Sequence, residues 1–131
     1  MFKVTWTART NKEMPAKLRT EVILRTAQTA NLVLFYLKKK LVGPRTGRMY
    51  GDHQASAIGE YPAKDTGRLV NTLQTHWDPM NLIAVVGSSV PYARALEKRP
   101  PRAGGRPWLN RAAQETHDQV KAIWAKPWTL K

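Results

Sequence analysis

Phe2, Val4 and Trp6 alternate with Lys3, Thr5 and Thr7 at the start of the chain. A period of two puts one side of an extended segment in a core and the other in water, which predicts a strand from Phe2 to Arg9. Beyond the polar stretch Thr10-Asn11-Lys12-Glu13 the rhythm changes, and Leu18, Val22, Ala27, Ala30, Val33, Leu34, Leu37 and Leu41 fall on one side of a helix. This predicts a long amphipathic helix from about Pro15 to Leu41, with Pro15 in its first turn and Gly43-Pro44 as its stop. Leu24 and Phe35, with Leu32 near them, fall on the opposite side, so another part of the chain or a partner subunit has to cover them.

From Val42 to Lys64 no periodicity survives, and Gly43, Gly47, Gly51, Gly59, Pro44 and Pro62 mark an unusually long loop. Such a segment is functional, disordered in isolation, or ordered by a partner. Asp65 is placed to cap a short helix from Thr66 to about Thr75, with Leu69 and Leu73 on its apolar side. His76-Trp77-Asp78 and Ile83-Ala84-Val85-Val86 flank Pro79-Met80-Asn81 as the two strands of an antiparallel hairpin. Pro91 opens a short helix through about Glu97. Pro107 opens a last one, with Trp108, Leu109, Ala112, Ala113, Thr116, Val120, Ile123 and Trp124 on one face, and Pro127 ends it. The tail from Trp128 to Lys131 either docks or hangs free. The fold class expected is α+β in a single domain: a small antiparallel sheet packed against a long N-terminal helix and a C-terminal helix, with a long central loop.

Three stretches in this order carry a more specific signal: Asp65-Thr66-Gly67-Arg68-Leu69, then Val86-Gly87-Ser88-Ser89-Val90-Pro91-Tyr92-Ala93, then Gly105-Arg106-Pro107-Trp108-Leu109. Together they resemble the tail-component family of tailed bacteriophages over about Gly59 to Val120. The motif positions are Asp65, Thr66, Gly67, Arg68, Leu69, Pro91, Tyr92 and Pro107. One departure follows Tyr92-Ala93. The family continues into an acidic-aromatic-Gly sequence there, whereas here Ala95-Leu96-Glu97 runs into Lys98-Arg99-Pro100-Pro101. The resemblance implies a structural virion protein, made in the host cytoplasm and incorporated at the neck. Its role would be tail completion or head-tail joining, in a sixfold or twelvefold ring around a DNA channel, against head-connector and tail-tube or tail-terminator proteins. It implies no catalysis.

Charge adds a second constraint. Lys and Arg number 22 against nine acids, a formal charge of +13, which attracts anionic partners, nucleic acid first among them. One basic cluster is Lys38, Lys39, Lys40, Arg45 and Arg48, a candidate contact for DNA or an acidic partner. The lysine run also suits a helix C-terminus, where cations are favoured without any partner. The other cluster, Arg94, Lys98, Arg99, Arg102, Arg106 and Arg111, is the stronger interface candidate, together with Leu24 and Phe35, because Arg makes bidentate contacts to carboxylate and phosphate. A free basic nucleic-acid-binding protein is the alternative function. Against it, no common DNA-reading motif appears, and Trp6, Trp77, Trp108 and Trp124 fall at core-like positions rather than among the basic residues.

Catalytic chemistry finds little support. There is no cysteine, so disulfides, thiolate metal sites and cysteine nucleophiles are excluded. His53, His76 and His117 lack metal-ligand spacing, and Asp52-His53 reads as a polar loop pair. Gly87-Ser88-Ser89 is no nucleophile elbow, and Gly43 to Arg48 is no phosphate loop. No metal, cofactor, catalytic residue or membrane span is expected.

Overall fold

The computed structural model describes residues 2–7, 15–63, 67–80 and 82–128. Strand β1 (Phe2–Thr7) is followed by helix α1 (Ala16–Leu41). A short hairpin comes next, β2 (Met49–Tyr50) and β3 (His53–Gln54), and then a single helical turn, α2 (Arg68–Asn71). Strands β4 (Leu73–Asp78) and β5 (Ile83–Ser88) lead into α3 (Ala93–Lys98), a 3-10 turn at Pro101–Ala103, α4 (Leu109–Glu115) and α5 (His117–Ala125). The architecture is α+β, with helices on one face of a three-stranded antiparallel sheet ordered β1-β5-β4.

Period-two alternation decides the sheet. β5 pairs on both sides over its whole length, with Phe2↔Ser88 through Thr7↔Ile83 on one side and Leu73↔Ser88 through Asp78↔Ile83 on the other. Val4, Val86 and Thr75 therefore share a face with Trp6, Ala84 and Trp77, and that face meets α1. Lys3, Thr5, Gln74 and His76 lie exposed on the opposite face. Helix α1 presents Val33, Leu37 and Leu41 to Ala84, Val86, Leu73, Trp108 and Leu109 in one continuous core. Trp108 is its largest fully buried side chain, and its indole N-H donates to the Ala93 carbonyl at 3.0 Å.

The structure departs from the sequence expectations at four points. The helix expected from Thr66 to about Thr75 is the single turn Arg68–Asn71 among the described residues, and Leu73 to Thr75 belong to β4. Leu69 and Leu73 have helical spacing, but Leu73, Thr75 and Trp77 also alternate. Six backbone pairs with β5 hold the extended form. Thr72 closes the turn, its hydroxyl donating to the Arg68 carbonyl at 2.6 Å and lying 2.8 Å from the Ser88 hydroxyl. The predicted cap Asp65 lies outside the described residues. Gly67 stands just before α2 at φ 80°, a backbone region costly for any residue with a Cβ.

The last helix is broken rather than continuous. At Thr116 the backbone shifts to φ −92°, ψ 1°, and the buried hydroxyl bonds back to the Ala112 carbonyl at 2.7 Å, a contact that bends helices. Trp77 is 43% exposed despite its inward register, because β4 is an edge strand that α1 covers incompletely. Over its described residues the expected long loop contains the β2–β3 hairpin, and Arg45, Glu60 and Arg106 bind its backbone through hydrogen bonds. The β4–β5 connection passes through Leu82 at φ 56°, a strain of roughly 1–3 kcal/mol offset by that side chain's burial.

Truncating Trp108 to Ala is expected to lower unfolding stability by about 3–5 kcal/mol, through lost packing and a cavity. Trp77→Ala is expected to cost less than half as much. Urea unfolding of the two variants checks the contrast, and equal losses would mean that the core is not centred on Trp108.

Candidate functional site: a motif-lined cleft and its arginines

Residues from three stretches singled out in the sequence, far apart along the chain, meet around one cleft of about 450 Å³. Gly67 stands just before α2 and Arg68 and Leu69 within it, Tyr92 just before α3 and Leu96 within it, and Gly104 and Arg106 belong to the turn after α3. Leu41, Ala55, Ser56, Pro62 and Ala63 complete the wall. Apolar side chains form the floor. At the rim the Arg68 guanidinium lies over the Tyr92 ring, 6.0 Å from its centroid. Among the described residues the lining holds the cations Arg68 and Arg106 and the hydroxyls of Ser56 and Tyr92 beside apolar side chains. Pro91 and Pro107 are exposed at the entries to α3 and α4, while Asp65 and Thr66 lie outside the described residues.

Two residues build the turn that closes the cleft. A Cβ on Gly105 would lie 1.8 Å from the Arg99 carbonyl oxygen, so only glycine fits. Its N-H donates to the Pro100 carbonyl at 3.0 Å, and Arg106 N-H donates to Leu96 at 2.7 Å. Glu97 then reaches across the turn, accepting from the Trp108 amide at 2.7 Å, the Leu109 amide at 3.3 Å and the Asn110 amide at 2.8 Å. These are amides that the first turn of α4 leaves without intrahelical partners, so Glu97 caps α4 from another helix. The segment from Lys98 to Gly105 is thus held as a defined turn between α3 and α4.

The basic clusters separate into two populations. Arg45 uses all five of its donors inside the chain: Nε to Tyr61 at 2.8 Å, Nη1 to Gly43 at 2.8 Å and Pro44 at 2.9 Å, and Nη2 to Lys40 at 2.5 Å and Pro62 at 2.9 Å. Burial pulls its guanidinium below the ordinary value, with Glu60 opposing and Arg111 adding to the shift. Arg106 holds Ser56 through its carbonyl and hydroxyl, and also donates to Pro101 and Gly105. Arg111 donates to Gly59 at 2.8 Å and sits 3.2 Å from the Glu115 carboxylate. Arg45, Arg106 and Arg111 therefore act as ties within the fold, whatever else they contact. The physical reason is that the glycine-rich segment exposes carbonyls that regular structure does not satisfy.

Lys38, Lys39, Arg94, Lys98, Arg99 and Arg102 are exposed. None of them makes a side-chain hydrogen bond or ion pair among the described residues. Arg48 lies 5.3 Å from the Tyr50 ring centroid and Lys40 5.4 Å from that of Tyr36. Leu24 and Phe35 are 53% and 69% exposed, so no other described part of the chain covers them.

Two features were not anticipated from sequence. Arg25, buried within α1, donates to Ile123 at 2.8 Å and Pro127 at 3.1 Å and packs 3.8 Å from the Trp128 ring centroid, which docks the start of the tail. The second is a knot in which Tyr61 donates its hydroxyl to Glu115 while Arg111 covers the Tyr61 ring at 4.3 Å. Burial, and then Glu115, push the Tyr61 hydroxyl up. Burial also raises the Glu115 carboxyl, but hydrogen bonds from Tyr61 and Tyr36, with Arg111 and Lys40 nearby, outweigh it and hold the carboxyl below its ordinary value. Arg25 carried a readable signal, a cation on the apolar stripe of a helix; the knot, joining distant residues, carried none. No group of three or more histidines or acids among the described residues could hold a metal ion, and no described helix is long and apolar enough to cross a membrane.

Comparison with protein-family models, curated proteins and solved structures finds no match to this chain.

Replacing Arg45 with Ala is expected to remove roughly 3 kcal/mol of stability by leaving several carbonyls without a donor. Hydrogen exchange of residues 43–63 should quicken ahead of α1; unchanged protection would show that the ties are dispensable. The depressed Glu115 carboxyl contributes stability above the unfolded carboxyl value of about 4.3, and this is lost as pH falls through the lower folded value. Urea midpoints at about pH 7 and pH 3 should therefore differ less in Glu115→Gln than in the parent chain.

Proposed function

We propose that this chain is a structural virion protein of a tailed phage or prophage, a tail-completion or head-tail joining component that forms a ring at the neck around a channel for DNA. The observation that carries the reading is the convergence of the three resembling stretches on one cleft. Gly67-Arg68-Leu69, Tyr92 and Arg106 stand up to 39 residues apart, yet line one wall. Residues that recur in order along a chain and also meet in space form one functional unit more readily than independent helix caps do. The chemistry fits a docking surface, since the described lining combines apolar side chains with the cations Arg68 and Arg106.

In a ring each subunit offers different patches to its two neighbours and to the layers above and below. The outward cations Arg94, Lys98, Arg99 and Arg102 on and after α3 suit an acidic surface of an adjoining connector, tail-tube or tail-terminator ring, because their charged groups have no hydrogen-bond or ion-pair partner among the described residues. The same cluster favours the second reading, a free nucleic-acid-binding protein. Salt response separates the two. Several phosphate contacts make DNA affinity fall steeply with ionic strength, whereas a structural neck protein needs only weak contact with passing DNA.

The substitution Arg94→Gln/Arg99→Gln/Arg102→Gln is expected to leave the fold intact and to abolish head-tail joining in a complementation assay. Duplex DNA should bind the parent chain only weakly at about physiological ionic strength, where screening acts over ~8 Å. Tight DNA binding lost in the triple variant, with joining unaffected, would overturn the neck assignment in favour of the second reading.

A further inference from the structure

Helix α1 carries an exposed stripe on the side away from the core: Leu24, Gln28, Asn31 and Phe35, with Leu24 53% and Phe35 69% exposed. The spacing is four, three, four. Read in reverse, the order is the same by type: an apolar residue, an amide, an amide, an apolar residue. A stripe with this symmetry complements itself when a second copy is turned end for end, because a twofold axis near the middle of the helix brings Leu24 against the second copy's Phe35 and Gln28 against its Asn31. We infer that α1 pairs antiparallel with α1 of a second copy of this chain through Leu24, Gln28, Asn31 and Phe35.

Three physical features select a second copy as the occupant. The three-four spacing is that of helix pairs packed side by side, so two such stripes interdigitate without rearrangement. Amides in the middle of the seam supply both donors and acceptors, so each Gln28–Asn31 pair is satisfied across the axis and the register is set. Charge is complementary as well. The stripe is itself uncharged in a chain of net charge +13, and the same rotation brings Lys39 of one copy near Glu21 of the other at both ends of the seam, where Glu21 already pairs with Arg25 of its own helix at 3.1 Å and would share its carboxylate between the two cations.

From Leu24 to Phe35 the helix rises about 16 Å, which buries far less than the ~800 Å² per partner of a stable interface. The pair is accordingly weak and concentration-dependent. Because two strongly basic molecules repel at long range, added salt strengthens it, the reverse of binding to DNA or to an acidic protein. This inference does not rest on the neck assignment. A ring uses head-to-tail contacts, and the twofold contact is additional to them, joining two copies before assembly or two rings face to face.

The experiment uses the full-length chain, which lacks cysteine, so single cysteines on exposed positions report geometry without background. Sedimentation equilibrium is expected to show a monomer-dimer equilibrium that tightens as sodium chloride is raised, and Leu24→Ser/Phe35→Ser should weaken dimerisation at least tenfold with unchanged circular dichroism. Under mild oxidation, a mixture of Gln28→Cys and Asn31→Cys chains should cross-link to each other. Leu24→Cys alone should not cross-link, since its two copies stand about 16 Å apart in this pairing. A monomer at every concentration and salt, a dimer indifferent to the double substitution, or an efficient Leu24→Cys self-disulfide would each overturn the antiparallel pairing.

Discussion

Backbone carbonyls without a place in helix or sheet set the main physical constraint on this molecule. Between Val42 and Ala63 the chain leaves α1, makes a minimal hairpin and returns with hardly any regular pairing, and glycine and proline remove both side-chain packing and amide donors there. Buried carbonyls in such a segment each need a donor. A guanidinium supplies five donors in a rigid plane, and Arg45 uses all of them to join the end of α1 to the return path at Tyr61 and Pro62. Arg106 ties Ser56 to the turn after α3, and Arg111 ties Gly59 to α4. Without these ties the cleft would lose a wall.

The same constraint appears with opposite polarity at α4. Its first amides lack partners, and a carboxylate from α3 supplies the acceptor. Glu97, Gly105 and Arg106 thus make one closure in which the acid caps, the glycine permits contact and the arginine locks. This closure fixes Leu96 and Arg106 beside each other in the wall of the cleft. It also divides the net positive charge into a part used to hold irregular backbone and a part left facing solvent. Both parts add to the long-range field, but only the second has donors free for bidentate contacts to an anionic partner.

Helix α1 has a role in each layer of this organisation. Its inner stripe makes the core with β5 and Trp108, its flank holds the C-terminal segment through Arg25, and Thr29 accepts from the Trp124 indole at 3.0 Å. With those sides occupied, the remaining stripe faces outward, and its symmetric order of apolar and amide residues matches a second copy.

Local periodicity by itself determined β1, α1, the β4–β5 hairpin and the approximate positions of α3 and α4, because in those segments burial follows a spacing of two or of three to four that needs no distant partner. It also marked Leu24 and Phe35 as outward-facing. Tertiary structure decided the rest. Leu73 satisfied both a helical and a strand pattern, and only pairing with β5 chose between them. Thr116 lay on a helical face, and only its burial turned the hydroxyl back to bend the chain. Arg45 and Arg99 look alike in sequence, a cation beside proline in a polar stretch. One is tied inward and the other faces water because unsatisfied carbonyls surround the first, an arrangement that exists only once distant backbone has been brought together.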